Sequence, residues 1–281
     1  MIDRSYAIRK AIDRAATIAC GLAVLVASIP LVLVVAYVAR QGFVRLDLAF
    51  FTGLPKPVGE VGGGMANAIV GTLELVALAC AMGVPVGILA GVALAEYGSS
   101  AFGKIVRFSA DVLSGVPSIV VGLFVYALIV VRQRHFSAVA GGVALAVIML
   151  PTVTRTTEEL LKLVPDSLRE AALALGVPRW RTTLSVVLRT AAPGIATGVM
   201  LAVARVAGET APLLFTAFNN RFWASALGEP TASLPVQVFT YAVSPYDDWR
   251  QQAWTGALVL VALVLVLNVF ARVVVRHRVK A

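Results

Sequence analysis

Six stretches of this 281-residue chain, each about long enough to cross a bilayer, run almost without charge, and that pattern excludes most folds open to a protein of this length. A hydrocarbon core about 30 Å thick needs roughly 20 apolar residues in a helix. Runs of that kind occupy approximately residues 16–39, 66–94, 110–131, 136–154, 193–217 and 253–275. With 59% hydrophobic and only 14% charged residues, the chain carries too much apolar surface for one water-soluble core. The expected fold class is an all-α membrane protein with six transmembrane helices. A short N-terminal segment, residues 1–15, precedes a single membrane domain over 16–281. The first run follows Arg4, Arg9, Lys10 and Arg14 as a secretory signal would, but its 24 residues lack a small-x-small cleavage pattern and exceed a signal core. It reads as a retained helix.

The 24 Lys and Arg residues set the orientation. Sixteen fall on the side shared by both termini and the 155–192 connection, seven fall on the other, and Arg205 remains, inside the fifth run. Both termini are therefore expected in the cytoplasm. The short turn Arg132-Gln133-Arg134-His135, on the outer side, runs against this bias. A net charge of +9 does not mark a nucleic-acid partner, because the basic residues flank apolar runs instead of forming a polar face. Two long outer connections, 40–65 and 218–252, are rich in Gly, Pro and aromatics such as Phe50, Phe222, Trp223 and Trp249, and suit interfacial belts or short surface helices. Cys20 and Cys80 lie inside apolar runs with no disulfide or zinc spacing.

Several motifs can be weighed for chemistry. Gly98-x-x-x-x-Gly103-Lys104 stops one residue short of a phosphate-binding loop, since Ile105 stands where a magnesium-binding Ser or Thr is required, and it reads as an inner turn. No ATP site of the chain's own is expected. His135 and His277 fall at membrane edges, away from any nucleophile or metal cluster, so an enzyme acting within the membrane finds no machinery here. Gly83, Gly87 and Gly91 share one helix face, as do Gly194 and Gly198; such stripes serve either a pore or subunit interface or ordinary close helix packing. In Ser114-Gly115-Val116-Pro117-Ser118, Pro117 withdraws a backbone donor, and Ser114 and Ser118 either satisfy freed groups or line a polar path.

The inner connection 155–192 is the most specific segment. Pro165-Asp166-Ser167-Leu168-Arg169-Glu170 predicts a helix start, with Ser167 as N-cap and Glu170 completing a capping box. The helix should continue to Leu175 and stop at Gly176, with Pro178 preventing continuation. A second amphipathic stretch, Trp180–Arg189, leads back to the membrane.

Glu170-Ala171-Ala172, Gly176 after three residues, and then Val186 and Leu188 resemble the EAA loop of bacterial ABC-importer permeases, although Arg189 stands where that pattern has proline. Ser114-Gly-Val-Pro-Ser-Ile-Val-Val-Gly-Leu123 and Arg205-Val-Ala-Gly-Glu-Thr-Ala-Pro-Leu-Leu-Phe215 look like the phosphate-specific permeases of the PstA type, and the resemblance runs from about residue 63 onward. It implies a type I ABC-importer permease of the bacterial inner membrane, forming half of a path for inorganic phosphate. Glu170, Ala171, Ala172 and Gly176 would couple it to a cytoplasmic ATPase. The implied partners are a PstC-type permease, a PstB-type ATPase dimer that uses ATP and magnesium, and a periplasmic or lipid-anchored phosphate-binding protein. No cofactor is expected on the chain itself. The same machine could carry sulfate or molybdate.

Arg205 and Glu209 stand four residues apart in the fifth run and are expected to share a face and to pair. Ionisable residues within a span usually face a polar path. Arginine suits phosphate because its planar fork donates two parallel hydrogen bonds while staying charged. Arg155 at the inner end of the fourth run and Glu74 in the second are weaker candidates for the path.

Overall fold

A computed structural model describes residues 2–60 and 62–280, and every regular element among them is helical. The side chains of Arg4, Arg272, Arg276, Arg278 and Lys280, which count toward the orientation above, lie outside the described ones. Five helices are long and apolar enough to cross a bilayer, and a bent helix pair supplies a sixth crossing when its arms are taken as one span.

Helices α3 (Ala66–Tyr97) and α7 (Ala138–Lys162) form the centre of the bundle, and their glycines explain how they approach. A Cβ built on Gly83 would stand 3.2 Å from the Ala146 carbonyl oxygen, one on Gly87 would stand 2.8 Å from the Val153 Cβ, and one on Gly91 would stand 2.5 Å from the Thr157 Cβ. The exchange is reciprocal: in α7, Gly142 leaves room for Leu78 and Gly141 for Leu75. The α3 stripe is thus packing within the chain, not an interface left open for a second one. Gly194 and Gly198 do the same for α10 (Leu188–Ala207), lying against Leu160 and Thr156 of α7. Around this contact the buried core gathers Leu75, Ala79, Leu145, Met149, Val153, Ala202 and Val206.

The other elements are arranged on this frame. Helix α1 (Ile2–Gly42) leaves its most apolar window wholly unburied. Its C-terminal end is pinned to α13 (Asp247–Lys280), where the Thr255 hydroxyl donates to the Gly42 carbonyl at 3.0 Å and the Tyr37 and Trp254 rings meet edge to face at 5.1 Å. Short α2 (Leu48–Thr52) starts where the Asp47 carboxylate accepts from the Phe50 N–H, and it drops Phe50 into a second cluster with Met65, Leu234, Tyr241 and Ala253. Helix α12 (Leu234–Ala242) contributes two of those residues.

The expected third span, 110–131, is broken. Helix α4 (Ala101–Gly115) ends before Pro117, and α5 (Ser118–Val125) leaves at 107° to it. A residue before proline is pushed toward extended backbone, and Val116 obeys with ψ 128. Helix α5 then widens through a π-turn at Tyr126–Val130 into α6 (Val131–Gln133). The Gly98–Ser100 turn before α4 is a cap: the Ser100 hydroxyl accepts from the Gly103 N–H at 3.0 Å.

Boundaries also move. The fourth span continues past 154 to Lys162, so Arg155 lies within a helix. The stretch after Pro178 joins the fifth span outright: α9 (Arg179–Thr182) passes through a π-turn at Thr183–Val187 into α10. That span ends at Ala207 instead of 217, and α11 (Ala211–Thr216) begins anew.

Gly91→Val is expected to lower the stability of the purified protein by at least about 1–3 kcal/mol, because backbone and a branched side chain fill the space. Gly21→Val, where nothing lies within 4 Å, is expected to change it by less than about 0.5 kcal/mol. Thermal unfolding in detergent checks the pair.

Candidate functional site

Helix α8 (Asp166–Ala174) stands beyond the C-terminal end of α7 as a short rod with no buried residue, and Leu168, Leu173 and Leu175 all remain exposed. Its ends are fixed by sequence. Pro165, not Ser167, occupies the N-cap position and makes no side-chain cap, so the expected capping box is absent and Ser167 lies inside the helix. The C-terminal end is as the glycine predicts: Gly176 takes φ +78, its N–H donates to the Leu173 carbonyl at 2.9 Å, and the Val177 N–H donates to the Ala172 carbonyl at 3.1 Å. Arg169 ties the rod to the bundle by donating to the Glu96 carboxylate of α3 at 2.5 Å and to the Leu161 carbonyl of α7 at 3.1 Å. Glu170, Ala171 and Gly176 are exposed and Ala172 is half-buried. The helix is thus held to the bundle by Arg169 while its apolar side chains stay uncovered.

Near it lies a charge cluster that the sequence reading did not single out. Glu158 of α7 is 1% exposed, yet three cations converge on its carboxylate. Arg107 of α4 and Lys162 each reach Oε1 at 2.5 Å, and Arg155 reaches Oε2 at 3.3 Å. Arg155 also donates to Asp111 of α4 through Nη2 at 2.5 Å and Nε at 2.8 Å. Arg155 is therefore an ion-pair residue that ties α4 to α7. The Arg155–Glu158 spacing of three was visible in the sequence, whereas Arg107 lies 51 residues away from Glu158 and only the fold brings it near.

The two breaks define a second polar region. Arg205 occupies the last turn of α10, on the exposed face it shares with Leu201 and Gly208, while Ala202 and Val206 are buried on the other. Glu209 falls after the helix ends, half-buried, with its N–H donating to the Val206 carbonyl. The expected Arg205–Glu209 ion pair is not made, because Gly208 closes the helix one residue before Glu209 and the regular four-residue spacing is lost. The region's apolar backing is close: a Cβ on Gly122 of α5 would stand 2.6 Å from the Pro212 Cα of α11. Half-buried Ser118 is one turn before Gly122 on the same side of α5. Ser114 lies across the first break, exposed, its hydroxyl donating to the Asp111 carbonyl at 2.8 Å. Irregular backbone at membrane depth is tolerated where it is buried in protein or lines a cavity, so two such breaks packed together mark a place where polar groups can be presented.

A bundle of membrane-length helices with a short uncovered rod at one end is the arrangement to be placed among known proteins. Comparisons with known proteins place it. Residues 83–280 match the family described as "Binding-protein-dependent transport system inner membrane component". The phosphate transport system permease protein PstA of Yersinia pestis is 50% identical over 235 residues, covering 83% of this chain and 80% of that one. PstA of Haemophilus influenzae is 47% identical over 239 residues, with 85% and 84% covered. Among solved structures, an inward-facing MetNI methionine ABC transporter chain superposes with a TM-score of 0.58 at 21% identity, covering 76% of this chain and 96% of its own. The chain belongs to the binding-protein-dependent inner-membrane-component family, among the PstA-type permeases. It is a multi-pass transport subunit that works with a substrate-binding protein and leaves ATP hydrolysis to a separate subunit.

Glu158→Gln is expected to cost about 3 kcal/mol, because it leaves Arg107 and Arg155 facing a buried neutral group. Asp111→Asn, whose carboxylate is 49% exposed, should cost less than about 1 kcal/mol. Thermal melts of both variants in detergent separate these outcomes.

Proposed function

We propose that this chain is the permease subunit of an ATP-driven importer of inorganic phosphate in a bacterial inner membrane, with both termini and α8 in the cytoplasm. The observation that carries the substrate is identity of about 50% to PstA proteins over about four fifths of their length. The path is shared with a PstC-type permease, and a PstB-type ATPase dimer, holding its own ATP and magnesium, receives α8. A phosphate-binding protein delivers the anion from the outer side. No cofactor is assigned to the chain itself.

In this reading Arg205 meets the anion. Its exposed face on α10 points away from the chain's own core and is open to a shared path. Glu209 lies just beyond it at the helix break, near enough in sequence to temper the field of the guanidinium without quenching it by direct pairing. Ser114 and Ser118, on either side of the other break, offer hydroxyls to the same route. Arg155 contributes from the inner end through its link with Asp111 and Glu158.

Arg205→Lys keeps the charge and removes the fork, so phosphate uptake by the assembled complex is expected to fall at least about ten-fold. Uptake near wild type in an assembled complex would overturn the substrate role. Ala171 is exposed in this chain, so Ala171→Asp should leave its folding within about 0.5 kcal/mol while abolishing co-purification of the ATPase. Retained ATPase binding would contradict the docking role. A single cysteine at Ser167, in a background lacking Cys20 and Cys80, should react with an impermeant maleimide in inverted vesicles only.

A further inference from the structure

The two ion pairs that join α4 to α7 differ in kind. The Arg107–Glu158 contact rests on a carboxylate that is 1% exposed. Removing one partner of a buried pair strands the other, so this contact holds the helices together. The Arg155–Asp111 contact joins side chains that are 34% and 49% exposed, where an ion pair contributes little and its partners exchange readily. Asp111 can therefore turn away without unpicking α4 from α7. A clasp needed only for packing would be sheltered from water and salt, as Glu158 is.

The guanidinium of Arg155 is oriented by the residue that does not exchange. Glu158, three residues on in the same helix, accepts from Nη1 through Oε2 at 3.3 Å. That contact aims the other edge, Nε and Nη2, at Asp111, where both nitrogens donate to the same oxygen, Oδ1. Two donors fixed on a planar edge are what a phosphate oxyanion requires. A carboxylate of the chain thus sits where an anion of the path would bind.

Charge explains how the two would alternate. Arg107, Arg155 and Lys162 stand against Glu158 and Asp111, an excess of one positive charge. With Asp111 turned out, the excess is two, and a phosphate dianion matches it. Like charges at contact distance repel, so the carboxylate and the anion exclude one another from the same edge. The return of Asp111 restores the resting balance and displaces the guest.

We propose that Asp111 is a resident competitor for an anion site on Arg155: it yields the Nε and Nη2 edge to arriving phosphate and then reclaims it, so that the anion is released on the α8 side instead of being held. The proposal rests on the phosphate-importer reading, with Arg155 on the path, given above.

The test is ATP-driven uptake into proteoliposomes that hold the complete complex, with binding protein outside and increasing phosphate enclosed. Asp111→Asn removes the competing charge and keeps the size of the side chain. The enclosed phosphate concentration that halves uptake is expected to fall at least about ten-fold in Asp111→Asn, with a lower maximal rate and an unchanged external KM. Radiolabelled phosphate binding to the purified complex, without ATP or binding protein, should tighten by a similar factor, and adding Arg155→Gln should reverse the gain. Asp111→Ser should behave as Asp111→Asn does, and Asp111→Glu should return both readouts toward wild type. Asp247→Asn, at an exposed ion pair of α13, should match wild type. A structural clasp predicts a lower melting temperature and slower uptake with unchanged phosphate inhibition and binding, and that result would overturn the proposal. Failure of both Asp111→Asn and Asp111→Ser to assemble would overturn it too, because the contact would then be indispensable to the fold. Failure of the phosphate reading shows separately, as wild-type uptake of sulfate and not of phosphate; enclosed sulfate then replaces phosphate in the same comparison.

Discussion

Close approach of α3 and α10 to α7 is the constraint on which the rest of this structure depends. Lipid offers no hydrophobic drive to bring helices together, so association rests on backbone proximity and dispersion. Glycines at 83, 87, 91, 194 and 198 allow it from the outside of α7, and glycines at 141 and 142 allow it from within. With α7 so surrounded, its inner end can bury Glu158 at 1% exposure and draw Arg107, and with it α4, onto the bundle. The same helix carries Leu161, whose carbonyl takes one bond from Arg169 of α8.

These links join elements that a transport cycle has to move together. Helix α8 is tied through Arg169 to the inner ends of both α3 and α7. Helix α4 is tied to α7 through two arginine–carboxylate contacts, and it is hinged at Pro117 to α5, which packs against α11 beyond the Arg205 break. A push on α8 therefore reaches the inner end of α7, the broken span and the segment after Arg205 through a continuous set of packed or hydrogen-bonded residues. Coupling along that route remains a physical expectation that follows from contact.

The bundle was legible in the sequence because each membrane crossing must bury its backbone polarity in a helix, and apolar length reports that directly. Gly176 announced its left-handed stop, and the EAA-like residues announced the exposed rod. The fate of the glycine stripes was not legible, since helical spacing places them on one face without naming the neighbour. The Pro117 bend carried a signal in the pre-proline position of Val116, but a proline within a span can also merely kink it, as at Pro85, Pro151 and Pro193, which stay inside their helices. Arg205 and Glu209 were expected to pair because the apolar run continues to 217; Gly208, and Pro212 near the start of α11, were the local signs that the helix stops. Glu158 lay hidden because a carboxylate just past a run's end, with Glu159 beside it, looks solvated until Arg107 arrives from another helix.

The central claim is that this fold moves phosphate at the expense of ATP hydrolysed on the side of α8. It is tested most directly by radiolabelled phosphate uptake into proteoliposomes that hold the complete complex, with ATP enclosed or excluded and the binding protein on the opposite face. The account predicts accumulation only when ATP is on the α8 side and binding protein is outside, undiminished by excess sulfate or molybdate. Accumulation without ATP, or uptake that sulfate or molybdate abolishes, would contradict it.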